Sequence, residues 1–139
     1  MDKKQLEHVK SVVRNIPDFP VLGIQFKDLT TAFKDPEALQ MMTEAMVDLY
    51  RDKGVTRVVG IEARGFIGGA ILATRLGAGF VPLRKPGKLP AEVIQKSYTK
   101  EYGTDTIEIH RMPSRPTMWW FSTMTCWLLA ARCWLPMNW

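Results

Sequence analysis

Near the start of the chain, apolar residues recur at spacings of three and four: Leu6, Val9, Val12, Val13 and Ile16, with Lys and Glu between them. That spacing describes one face of a helix and predicts an amphipathic helix over roughly residues 3–15, stopped by Pro17 and Pro20. Residues 17–31, PDFPVLGIQFKDLTT, are apolar without a period and hold two Pro and a Gly, so a loop folded onto other structure is expected there. A second helix opens at Asp35-Pro36-Glu37, which supplies a cap, a Pro at the first helical position and an acidic first turn. Leu39, Met42, Met46 and Leu49 continue its apolar face, and Gly54 is its expected stop.

The pattern then changes. Val55 to Ile61 is β-branched and almost continuously apolar, as a buried parallel strand is. EARGFIGGA follows, a glycine-containing turn running into a helix that ends near Gly77. Phe80 to Leu83 is the next expected strand, a mobile polar stretch should extend to Gly103, and Thr106 to His110 alternates as an edge or half-exposed strand does. Helix, loop, helix, strand, helix, strand, long loop, strand is the order of an α/β domain with a mainly parallel sheet flanked by helices.

Composition narrows the classes. One modest domain fits 139 residues. The net charge of +5 is unevenly placed: residues 1–110 hold 16 basic and 14 acidic side chains, and no acid follows Glu108. All five Trp and both Cys fall in the last 21 residues. No apolar run approaches the roughly 20 residues of a membrane span, and the first residues lack the apolar core of a secretory signal, so the cytosol is the expected compartment. Cys126 and Cys133, with no His beside them, fit neither a zinc site nor a disulfide framework.

Ligands of open α/β sheets bind beyond the carboxyl ends of the strands. Three polar groups fall there. Glu62-Ala63-Arg64-Gly65 joins a strand to a helix, where the helix dipole and Arg64 favour an anion, against the alternative of an ordinary solvated turn. Arg84, Lys85 and Lys88 around Pro86-Gly87 suit a polyphosphate and equally suit a solubilising loop. Glu101-Tyr102-Gly103 offers an acid or base on a lid, although a loop Glu is ordinarily just solvated. His8 and His110 have no partners in ligand or triad spacing. The residues alone describe an anion-binding α/β enzyme.

Four blocks, IPDFPVLGIQFKDLT (16–30), VVGIEARGFIGGA (58–70), GAGFVPLRKPGKLP (77–90) and EYGTDTIEIH (101–110), together resemble the adenine phosphoribosyltransferases of the type I phosphoribosyltransferase family. The resemblance implies purine salvage: adenine and 5-phosphoribosyl 1-pyrophosphate give AMP and pyrophosphate, with Mg2+ on the diphosphate, in a cytoplasmic homodimer. It implies that Arg64 and the turn before it bind pyrophosphate, and it marks the Glu62–Ala63 peptide as the strained bond of that turn, a candidate for the cis form. Arg84, Lys85 and Lys88 would meet the same diphosphate, partly across a dimer interface. Gln25, Phe26 and Lys27 would form the adenine pocket, with Phe26 stacked on the ring, and Glu101 would handle the proton beside Tyr102. Lys27 stands where the family often has Arg, Leu22 where it often has Pro, and Gly69 where a bulkier residue is common.

The resemblance stops at Arg111. The family continues with a Val/Ile strand and Asp-Asp-x-x-Ala-Thr-Gly-Gly-Thr, which holds the ribose 5-phosphate, and residues 111–139 contain nothing of the kind. Met and Trp have single codons, so Met118-Trp119-Trp120-Phe121 is ATG TGG TGG TTY; read from the third base it gives GTG GTG GTT, or Val-Val-Val. Met124-Thr125 gives GAC, an Asp, and Cys126-Trp127 gives Leu. The shifted frame is compatible with Val-Val-Val-x-x-Asp-Asp-Leu-Leu-Ala-Thr-Gly-Gly-Thr. The expectation is therefore an N-terminal part of a phosphoribosyltransferase domain over 1–110, followed by an out-of-frame tail over 111–139. Such a truncated chain should have an incomplete sheet with an unpaired edge, fold poorly and make negligible AMP. The alternative is a non-catalytic protein that binds purine or dimerises and uses its aromatic, basic tail for contacts.

Overall fold

The computed structural model describes residues 2–100, 103–111 and 122–123. The chain divides into two compact units, Met1–Leu49 and Tyr50–Trp139.

The first unit opens with α1 (Lys3–Val12), capped reciprocally by Asp2 and Gln5, each side chain bonding the other's backbone N–H at 2.8 Å. The helix is shorter than its apolar period. Pro17 disfavours helical backbone at Ile16, and Arg14–Pro17 is instead β1, paired antiparallel with β2 (Gln25–Asp28). The expected loop over 17–31 is thus corrected to the second half of a hairpin and a short helix, α2 (Thr30–Lys34). The hairpin connection is held by the Asp18 carboxylate, which accepts the Gly23 N–H at 2.7 Å, and the Phe19–Pro20 peptide is cis. Helix α3 (Pro36–Tyr50) starts as its sequence predicts, with Asp35 Oδ1 accepting from the Ala38 amide at 2.7 Å. That carboxylate also lies 3.4 Å from His8 Nε2, a partner 27 residues away.

In the second unit, β3 (Arg57–Ile61), α4 (Arg64–Leu76) and β4 (Gly79–Leu83) form a parallel β–α–β unit. Gly77 ends α4 in the left-handed conformation, at φ 65°, where its N–H reaches the carbonyls of Ala73 and Thr74. The two strands run in register from Arg57 opposite Gly79 to Ile61 opposite Leu83. Val58, Val59, Leu72, Val81, Leu83 and Ile109 are buried. On the far side of β3, β7 (Ser122–Thr123) pairs in parallel with Val59 and Gly60, giving the order β4-β3-β7. The edge expected to be unpaired is covered at those two positions.

The polar stretch expected to be mobile is largely strand. Val93–Lys100 (β5) and Gly103–His110 (β6) pair antiparallel residue for residue, from Val93 opposite His110 to Lys100 opposite Gly103. Ser97 and Thr106 hydroxyls meet across the pair at 2.8 Å, and Ile94 and Ile107 pack on the buried cluster of the parallel sheet. Among the described residues no helix is long and apolar enough to cross a membrane.

Candidate functional site

The chemistry gathers at the carboxyl ends of β3 and β4. The chain leaves β3 through Glu62 and Ala63, whose connecting peptide is cis, and enters α4 at Arg64. The N-cap position is Ala63, which has no side-chain oxygen to lay over the first-turn amides. The positive end of the helix dipole and the Arg64 side chain therefore meet at one turn.

Packing brings this turn up against the strand. Gly60 and Gly69 face the Phe80 ring: an added Cβ would lie 2.7 Å from Phe80 Cε2 at either position, and at Gly60 it would also lie 2.5 Å from the Gly65 carbonyl oxygen. Only hydrogen at both positions permits so close an approach of strand, helix and aromatic ring. Phe80 meets Phe66 edge to face at 5.9 Å, and the Arg84 guanidinium carbon stands 6.0 Å from the Phe66 centroid.

The second cationic group follows β4 directly. Arg84 gives Nε to Glu62 Oε2 at 3.1 Å and Nη2 to Glu62 Oε1 at 3.2 Å, a two-pronged ion pair between the two strand ends. The Lys85 amide adds a bond to Glu62 Oε2 at 3.2 Å. These donors, Arg84 first, hold the Glu62 carboxyl below the usual carboxylate range against a modest opposing effect of burial. Arg84 Nη1 also donates to the Lys88 carbonyl at 3.1 Å, and Gly87, at φ 76°, turns the chain between them. Lys85 and Lys88 are exposed.

Five of the residues singled out in the sequence, Glu62, Ala63, Arg84, Lys85 and Lys88, thus converge with Arg64 at the strand ends. Gln25, Phe26 and Lys27 lie on β2 of the first unit. There Phe26 meets Phe19 edge to face at 5.0 Å, Gln25 Oε1 accepts from Asn15 Nδ2 at 2.7 Å, and Lys27 is exposed. Glu101 and Tyr102 lie outside the described residues, between the ends of β5 and β6. So does the tail apart from Arg111 and the backbone of β7.

Two carboxylates matter that sequence reasoning passed over. Asp28 is buried, accepts from Arg14 Nη2 at 2.6 Å and from the Thr30 amide and hydroxyl at 2.9 and 2.7 Å, and has its pKa lowered to about 2. Its Thr30 partner two residues on is a recognisable Asx-turn signal. Glu108 is buried on β6 and accepts from the Gly87 amide and from Gln95 Nε2. Nothing local marks it, because its partners come from other segments.

Comparison with known proteins points one way. No family model matches the chain. Over 111 residues it is 64% identical to the adenine phosphoribosyltransferase of Bacteroides thetaiotaomicron, covering 80% of this chain and 61% of that one. Its fold matches the crystal structure of the Rhodothermus marinus adenine phosphoribosyltransferase with a TM-score of 0.72 and 51% identity, over 78% of this chain and 62% of the other. The Giardia lamblia enzyme, solved with 9-deazaadenine, matches at TM-score 0.72 and 44% identity, over 76% and 59%. The chain spans about three-fifths of the length of these relatives.

Proposed function

We propose, for a chain related in sequence and fold to the adenine phosphoribosyltransferases, that it carries the base- and pyrophosphate-binding part of a purine-salvage glycosyltransferase. The reaction is displacement at C1 of 5-phosphoribosyl 1-pyrophosphate by adenine, giving AMP and pyrophosphate. The observation that carries this reading is the convergence of the Glu62–Arg64 turn, the α4 N-terminus and the Arg84–Lys88 turn at the ends of two parallel strands.

Such a displacement builds negative charge on the leaving diphosphate while C1 becomes cationic, so donors already fixed in place lower the barrier most. Arg64 and the first turn of α4 receive that charge, and Lys85 and Lys88 add to it. Glu62 keeps Arg84 extended across the strand ends and offsets the mutual repulsion of the cations before the anion arrives. Phe26, Gln25 and Lys27 receive adenine, and Glu101, beside Tyr102, takes or returns the purine proton. Mg2+ would neutralise the diphosphate as it binds. The described carboxylates nearest the cations, Glu62 and Glu108, are engaged by N–H donors, so the ion is assigned to the substrate and not to a protein cage. The same reading includes a homodimer in the cytoplasm, with the Arg84–Lys88 turn close to the subunit boundary.

Isothermal titration with Mg-pyrophosphate and with adenine tests this reading. Both should bind, and Arg64→Ala should weaken pyrophosphate by about tenfold or more, the effect of losing a charge-assisted hydrogen bond, with adenine unaffected. Absence of pyrophosphate binding to the unaltered chain would sink the assignment.

A further inference from the structure

Glu108 is buried, with 3% of its surface exposed. Buried carboxylates ordinarily end on a cation, yet both described partners of this one are neutral. The Gly87 amide donates to Oε2 at 3.0 Å and Gln95 Nε2 donates to Oε1 at 2.6 Å. The main chain of the same residue pairs with Arg84 in both directions, Arg84 N to Glu108 O at 3.0 Å and Glu108 N to Arg84 O at 2.8 Å. One residue of β6 therefore grips the cationic turn twice, at Arg84 through backbone and at Gly87 through its side chain. Lys85 and Pro86 lie between those points, and Lys88 follows immediately.

A short glycine-containing turn that carries three cations would otherwise be opened by backbone freedom and like-charge repulsion. Fixing it before the ligand arrives removes an ordering cost from binding. We propose that Glu108 is the positioning residue of the pyrophosphate-binding turn. It touches no substrate, sets the shape of Arg84–Lys88, and ties that turn to the β5–β6 hairpin. This inference rests on the turn being the pyrophosphate site, so its test separates the two.

The test compares the full chain with E108L and E108Q, following Gly87 amide hydrogen exchange and Mg-pyrophosphate titration. Leucine fills a similar volume and has no acceptor, so in E108L Gly87 exchange should rise about tenfold and pyrophosphate affinity should fall about tenfold. In E108Q the carboxamide oxygen accepts from Gly87 and its NH2 donates to the Gln95 carboxamide turned over to present its oxygen, so both readouts should stay within about twofold of the original. Unchanged exchange in E108L, faster exchange with unchanged affinity, or losses in E108Q as large as those in E108L would each overturn the proposal. If E108L does not fold, E108D takes its place with the same expected losses, because its carboxylate is one methylene short of Gly87. Should the unaltered chain not bind pyrophosphate, the functional reading falls, and Gly87 exchange still shows whether Glu108 fixes the turn.

Discussion

Asp28 receives Thr30 on one carboxylate oxygen and Arg14 on the other, and these bonds hold its pKa at about 2, below the ordinary 3.8. The folded chain therefore holds its proton less tightly than the unfolded chain does. The associated stability is fully present above about pH 4 and is lost as the pH falls through about 2. Urea midpoints at pH 5, 3 and 2 should fall steeply across that window, and D28N should lower the midpoint at pH 5 while flattening the decline. An equally steep decline in D28N would refute the linkage. At this scale the sequence was legible where cations stand close together along the chain, as at Arg84, Lys85 and Lys88 after β4. It was silent on partners set by folding: Glu62 is 22 residues from Arg84 and Glu108 is 21 from Gly87.

Among the elements, those whose pattern is local came out as the sequence predicts. These include α3 with its Asp35 cap, β3, α4 with its glycine stop, and β4. The two hairpins did not, because a hairpin is defined by its partner. Residues 25–28 and 93–100 carry no clean alternation, and only pairing with 14–17 and 103–110 makes them strands. The glycines of the β–α–β unit supply a prediction that belongs to packing. G60A should cost about 1–3 kcal/mol of unfolding free energy, since its Cβ meets both the Phe80 ring and the immovable Gly65 carbonyl. G69A should cost less, because its tight neighbour is the outer edge of one ring. Chemical denaturation of both variants checks the order, and an equal or reversed cost would contradict this account.

Taken as a whole molecule, the chain pairs a fold shared with its relatives through about 111 residues with a tail that spells a different chemistry. A missing ribose-phosphate anchor removes both affinity and alignment of the reacting carbon, effects that together span many orders of magnitude. AMP formation by the chain as spelled should therefore be at background, whereas a version read in the shifted frame after His110 should be active with adenine and not with hypoxanthine or guanine. Robust turnover by the unaltered chain, or an uninterrupted frame on resequencing the gene, would remove the frame-shift proposal. From Glu108 to the start of β6 at Gly103 is five residues, about 17 Å of extended chain. Pinned at Glu108 against the Arg84–Lys88 turn, the hairpin has the proportions of a lever: a tilt of about 10° at Glu108 sweeps Gly103 by about 3 Å, the length of a hydrogen bond. The grip of one buried carboxylate on the turn therefore also sets, to within a hydrogen bond's length, where the far end of β6 lies.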